Sequence, residues 1–242
     1  MDTEVAKQER VQMVLARARE AWPDEAAKEW LHGSNDVLEG ARSIGRVHNT
    51  TGASRVVDED LLNLWVDQPV DVIRRSYRRP STARNLERIA RELRRGLGGR
   101  RMQTALVHGN YWGNVLTTIT PEGPRISGII DWENATPWGI PDTDLVHWWL
   151  TNQPGELGAI VVEALANPEA VRSGLSGLGA TLANADVKTE HIILLTWLWH
   201  VSAGLTRASP NRMGLMWVAP NVSPVVQLFD GKEFQSPRGT PQ

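Results

Sequence analysis

Leu106-Val-His-Gly-Asn-Tyr-Trp-Gly-Asn-Val-Leu116, followed by Ile129-Ile-Asp-Trp-Glu133, is the stretch whose reading decides the fold. Thr104–Val107, Val115–Thr120 and Arg125–Ile130 are short β-prone runs. Pro121-Glu122-Gly123-Pro124 separates the last two, and such residues preset the dihedrals of a hairpin turn. In an antiparallel hairpin the start of one strand lies beside the end of the other. Asn114 stands at the first position and Asp131 at the second, so an amide oxygen and a carboxylate meet at one open end. The loop with His108 and Asn110 lies next to them. Hard oxygen donors of this kind suit Mg²⁺ bound together with substrate phosphates.

Outward from the hairpin the chain is helical. Val11, Val14, Leu15, Ala18 and Trp22 give residues 5–22 an amphipathic period that Pro23 ends. Residues 33–52, with their glycines and asparagines, are expected to hold at most short helices. Asp58 can cap a helix carrying Leu61, Leu62, Leu64 and Trp65, and an arginine-rich helix follows Pro80 and closes at Gly96–Gly99. Before His108 no further alternating strand is evident. After the hairpin, helices are predicted over 142–150, 156–166 and about 188–205, with a short last one capped by Ser223 and Pro224. The predicted class is mainly α with a small β-hairpin (α+β). It divides into an N-terminal helical segment 1–45, a helical lobe 46–230 enclosing hairpin 115–130, and a flexible tail 231–242.

Composition narrows the chemistry. The 242 residues can bury an ordinary core, and the absence of cysteine excludes disulfides, thiolate metal sites and cysteine nucleophiles. Eleven arginines against Glu87 and Glu92 between Arg74 and Arg101 give +9, so the remainder of the chain carries −11. Leu86, Ile89, Ala90, Leu93 and Leu97 run as a helical stripe between those arginines, which makes them the solvated face of one helix. No stacking platform accompanies the charge, which argues against nucleic acid as a partner. The longest apolar run, Ile192–Trp199, is far below the roughly 20 residues a membrane span needs, and the N-terminus lacks a secretory pattern. A cytoplasmic location is expected.

The motif resembles the catalytic core of the aminoglycoside phosphotransferase and choline-kinase-like family, relatives of the protein kinases. The resemblance rests on His108, Gly109, Asn114, Asp131, Gly139-Ile140-Pro141 and Asp144-Leu145. It extends more loosely through Trp65-Val-Asp-Gln-Pro69 and Trp197-Leu-Trp-His200, over about residues 46–230. It implies the C-terminal lobe of a kinase-like fold, with Asn114 and Asp131 as metal and cofactor ligands for Mg²⁺ and ATP. Asp144 would be a structural brace of the catalytic loop, and Asn110 and His108 fall at catalytic-loop positions.

Three departures point to a catalytically impaired member. Asn110 stands where the family has a proton-accepting Asp, and an amide cannot accept that proton. Three residues rather than four separate Asn110 from Asn114. No ATP-gripping lobe is recognisable, since Lys7 and Lys28, the lysines before His108, sit in helical context and Gly96–Gly99 follows a helix rather than a strand. The retained cleft would then bind a small hydroxylated or amine ligand or a protein partner. Two alternatives stay open: an active phosphotransferase whose nucleotide lobe comes from a partner or a longer parent chain, and a cleft recruited for non-phosphoryl chemistry in a biosynthetic pathway.

Asp131 could instead pair with an arginine. Glu133 and Asp142 are read as solvated carboxylates rather than substitute bases, and His147 and His200 as hydrogen-bonded core histidines. Trp148, Trp149, Trp197 and Trp199 belong to helical stripes, whereas Trp112, Trp132 and Trp138 lie in loops where, together with Glu133, they could line a ligand site.

Overall fold

The computed structural model describes residues 37–77, 79–112, 114–120, 123–207 and 215–230. The expected helix over 5–22 and the tail 231–242 lie outside them. The described chain is mainly helical with small antiparallel sheets and falls into two units. One comprises residues up to Val56 with Arg101–Asn152 and Arg172–Ala185; the other comprises Val57–Arg100, Gln153–Val171 and the residues from Asp186 onward.

The first unit opens with α1 (Val37–Thr51), a helix across the stretch in which at most short helices were expected. Glycine costs a helix interior roughly 1 kcal/mol, which made the stretch look broken. Tertiary packing overrides that cost, because α1 lies on a β-strand and on the helix that follows the hairpin. At Gly40 a side chain would meet the Trp148 ring, so the bare backbone is what lets the two helices close.

Strand β1 (Ala53–Val56) pairs antiparallel with β2 (Arg101–Val107), from Ala53 opposite Thr104 to Val56 opposite Arg101. On its other edge β2 pairs with β5 (Thr136–Gly139), making a three-stranded sheet of order β1-β2-β5. Neither β1 nor β5 was visible as a strand in the sequence: each is four residues long, and β5 reads Thr-Pro-Trp-Gly. The hairpin forms where expected, from β3 (Val115–Thr120) and β4 (Gly123–Ile129). Its register passes from Leu116 opposite Gly128 to Thr117 opposite Ile126, so Ser127 is an extra residue that bulges β4 near the open end.

The described residues of the second unit form helices and no strand. Asp58 caps α2 (Glu59–Leu62), accepting from Leu61 N–H at 3.0 Å, and a π-turn (Asn63–Asp67) leads into α3 (Gln68–Ser76). The arginine-rich helix is α4 (Pro80–Leu97). Leu86, Ile89, Leu93 and Leu97 are fully buried while Arg84, Arg91 and Arg95 face solvent, and Gly99 supplies the left-handed stop at φ 71°.

After the hairpin come α5 (Asp142–Thr151) in the first unit and α6 (Leu157–Ala166) in the second. Next is α7 (Pro168–Gly177), unforeseen in the sequence and divided between the two units. The second unit then closes with α8 (Thr189–Arg207) and α9 (Leu215–Gln227). Within it, α3, α4 and α6 pack on α8, and α9 packs on α6 and α4.

Ser223 and Pro224 do not start the last helix, as expected, but lie inside α9 with Pro220. Each proline leaves the carbonyl four residues earlier without its helical donor. The helix persists because packing holds its middle and its last turn: the Trp197 indole donates to Asn221 O at 2.8 Å, and Asn85 Nδ2 donates to Val226 O at 3.1 Å.

Candidate functional site

The site grows from Asp144 in the first turn of α5, fully buried beneath the loop that follows β2. One oxygen, Oδ2, accepts from His108 N–H at 2.7 Å and from His48 Nε2 at 3.1 Å; Oδ1 accepts from Gly109 N–H at 2.9 Å. Burial alone would raise the carboxyl pKa. The His48 hydrogen bond and charge, with the His108 contacts, outweigh it and hold Asp144 below the ordinary carboxylate range. Asp144 thus ties the turn of the loop to α1 and α5.

Gly109 is required at that turn. Its φ of 76° is a left-handed conformation, and a Cβ there would stand 2.5 Å from Asn134 O.

His108 is fully buried and committed on both ring nitrogens. Nε2–H donates to Ile130 O at 2.8 Å, and Nδ1 accepts from Asn110 N–H at 3.3 Å. The ring therefore links the loop to the exit of the hairpin, which is the geometry of a positioning residue. It stacks against Trp132 with centroids 4.8 Å apart.

At the open end of the hairpin the backbone bonds continue past the two strands. Asn114 O accepts from Ile130 N–H at 3.0 Å, placing the residues that flank the two strands side by side. The Asn114 side chain donates from Nδ2 to Asn110 O at 3.2 Å. Because a carbonyl can only accept, that bond fixes which end of the amide is which and leaves Oδ1 as an acceptor.

Asp131 is exposed, with φ 63° and ψ 52°, the one described non-glycine residue in the left-handed region. It has no ion-pair partner among the described residues, so the alternative of pairing with an arginine finds no such arginine there. Among the described residues no three His, Asp or Glu side chains gather as a metal cluster; the oxygen pair of Asn114 and Asp131 is of a different composition.

The three loop tryptophans separate. Trp132 donates from Nε1 to Ile129 O at 2.8 Å, and Trp138 lies under the Arg55 guanidinium at 3.7 Å, so each has a packing role. Trp112 is 56 % exposed. Glu133 is exposed on the 3-10 turn Trp132–Asn134.

Asp142 corrects the expectation of a solvated carboxylate. It is fully buried and accepts from Ala183 N–H at 2.5 Å, Asn184 N–H at 3.1 Å and Asn184 Nδ2 at 2.7 Å. Burial pushes its pKa up, and these donors only partly offset that. With these three bonds it holds residues 183–184 against α5.

His147 is a core histidine as expected, donating from Nδ1 to Tyr111 O at 3.2 Å. Burial pushes its pKa below the ordinary histidine value.

Three contributors escaped the sequence reading. His48 was part of no motif that had been singled out. Tyr111 is fully buried, donates its hydroxyl to Gly40 O at 2.9 Å and packs on Trp148, fixing the loop from beneath. Asn134 lies against Gly109, and its buried Nδ2 has no hydrogen-bond partner. Only Tyr111 carried a signal, as an aromatic residue inside the loop that follows β2.

A comparison with family profiles matches residues 41–175, more than half of the chain, to the phosphotransferase enzyme family (APH). No curated protein and no solved structure matches the chain.

Proposed function

Because the chain belongs to the phosphotransferase enzyme family, we propose that it is a member whose loop is braced as for catalysis but has lost the group that takes the substrate proton. The observation that carries this reading is Asn110. It sits between the Asp144-held turn and Asn114, its N–H on His108 and its carbonyl on Asn114 Nδ2. An amide at that place can orient a hydroxyl but cannot deprotonate it at neutral pH. Of the two acids the sequence offered as substitutes, Asp142 is fully buried and already accepts three hydrogen bonds from residues 183–184, and Glu133 lies on an exposed turn. The retained cleft then binds a small hydroxylated or amine ligand, or a protein partner.

The surviving parts favour a second reading. Asn114 Oδ1 and the Asp131 carboxylate are a donor set of hard oxygens that fits Mg²⁺. When bound with ATP, the ion would neutralise phosphate charge. The domain would then be an ATP- and Mg²⁺-dependent small-molecule phosphotransferase whose nucleotide lobe comes from a partner or a longer parent chain.

Thermal unfolding with and without ATP and Mg²⁺ separates the two. The second reading requires a clear rise in melting temperature, because a ligand that binds the native state must stabilise it, and an unchanged temperature overturns it. If the temperature rises, Asn110→Asp then tests whether the proton acceptor alone is missing: a gain of phosphoryl transfer supports that, and no gain assigns the defect to the shortened loop.

A further inference from the structure

We propose that the first unit carries a second binding site, for a small hydroxylated anion, lined by α1 and by no residue of the hairpin mouth. A cavity of about 710 Å³ lies between α1, the sheet strand β2, the start of α5 and residues 179–183. That size is within the range of small-molecule sites.

Its α1 wall is a single helical face, Arg42, Gly45, Arg46 and Asn49, spaced i, i+3, i+4 and i+7. Gly45 has no atom within 4 Å of where a Cβ would stand, so the wall is open between two guanidinium groups one turn apart. Arg42 has no ion-pair partner among the described residues, while Arg46 reaches Glu39 at 3.5 Å and Ser43 at 3.0 Å. The acid in the lining, Asp142, is turned to its three donors from residues 183–184. The charge presented to a ligand is therefore positive, and guanidinium groups select carboxylate or phosphate oxygens.

His48 adds the polar contact that points to a hydroxylated ligand. It lines the cavity, is more than nine-tenths buried and uses Nε2 for Asp144; no described residue bonds its Nδ1. A carboxylate accepts, so Nε2 is the donor to Asp144, and Nδ1 of the same ring is left to pair with a hydroxyl, which can both donate and accept. Since Asp144 Oδ2 holds both His48 and His108 N–H, the cavity is two hydrogen bonds from the loop. Occupation of the cavity would thus bear on His108 through Asp144.

The test uses citrate as the carboxylate probe, glucose 6-phosphate as the phosphate probe and glucose as the uncharged control, without nucleotide or Mg²⁺. Its failure therefore leaves the reading of Asn110 untouched. At millimolar concentration one or both anions should raise the melting temperature and glucose should not; whichever acts identifies the anion class. Arg42→Glu should weaken the effective anion by about tenfold or more, the share of one charge-assisted hydrogen bond. Gly45→Leu should remove the response while leaving the empty protein at least as stable, since the side chain enters open space on a helix. Imidazole NMR signals of His48 and His108 should move together on titration. No rise with either anion, or an equal rise in both variants, overturns the site. Binding that leaves both rings unmoved overturns the link to the loop.

Discussion

Replacing Asp144 by Asn would leave His108 N–H, Gly109 N–H and His48 Nε2 competing for a single amide oxygen in a fully buried site. Removing one partner of a buried charged network costs about 3 kcal/mol or more. Asp144→Asn should therefore lower the urea midpoint strongly. Asp131→Asn, in the same motif, should change stability by no more than about 0.5 kcal/mol: the residue is exposed, and Asn tolerates the left-handed backbone as well as Asp does. Equal effects of the two substitutions would refute the assignment of Asp144 as the brace and Asp131 as the presented carboxylate. A left-handed Asp at the hairpin exit stores on the order of 1 kcal/mol, which the surrounding structure must supply.

Helix α1 holds two glycines with opposite requirements, and the difference can be measured. At Gly40 a methyl group would press on the Trp148 ring, so Gly40→Ala should destabilise by about 1–3 kcal/mol despite the better helix propensity. At Gly45 nothing stands in the way, and Gly45→Ala should stabilise by roughly 0.5–1 kcal/mol. Chemical denaturation of the two variants checks both signs, and two changes of the same sign would contradict the packing of α1 on α5.

The same helix shows what could and could not be read from the residues alone. The hairpin of β3 and β4 was legible because its register is local and follows from the turn. The core stripe of α4 was legible because helical period is local too. Helix α1 was not, since what overrides its glycines is Trp148, about a hundred residues further on. Asp142 was misread for the same reason: its donors come from residues 183–184, some forty residues away. Strands β1 and β5 exist because β2 pairs with them, and four residues do not establish a period of two.

For the molecule as a whole, the buried ionisable groups predict how stability follows pH. His147 has a folded pKa below its ordinary 6.5, so the unfolded chain binds its proton first, and the stability present above that value is lost as pH falls. Asp144, also lowered, adds a loss at pH below the ordinary carboxylate range. Asp142 has a raised pKa and opposes both, gaining stability as pH falls through its folded value. Wild type should therefore lose stability relative to His147→Asn between about pH 6.5 and 5, since Asn keeps a donor for Tyr111 O but has no proton to take up. Urea midpoints of the two proteins across that range test it, and parallel curves would show that His147 does not titrate differently on folding.

No helix among the described residues is long and apolar enough to cross a membrane. The family profile over residues 41–175 places the chain in the phosphotransferase enzyme family.

The division of the described chain has a consequence for how it is made. The backbone passes between the two units five times, at 56/57, 100/101, 152/153, 171/172 and 185/186. The first unit therefore lacks its final piece until Ala185 has been synthesised, and by then much of the second is already present. No single cut releases either unit as a continuous fragment, so a truncation designed to isolate the loop and its cavity would remove segments of the very unit it meant to keep. During synthesis, Asp142 stays without its Ala183 and Asn184 donors for some forty residues, an interval in which the nascent chain exposes surface that other proteins can engage.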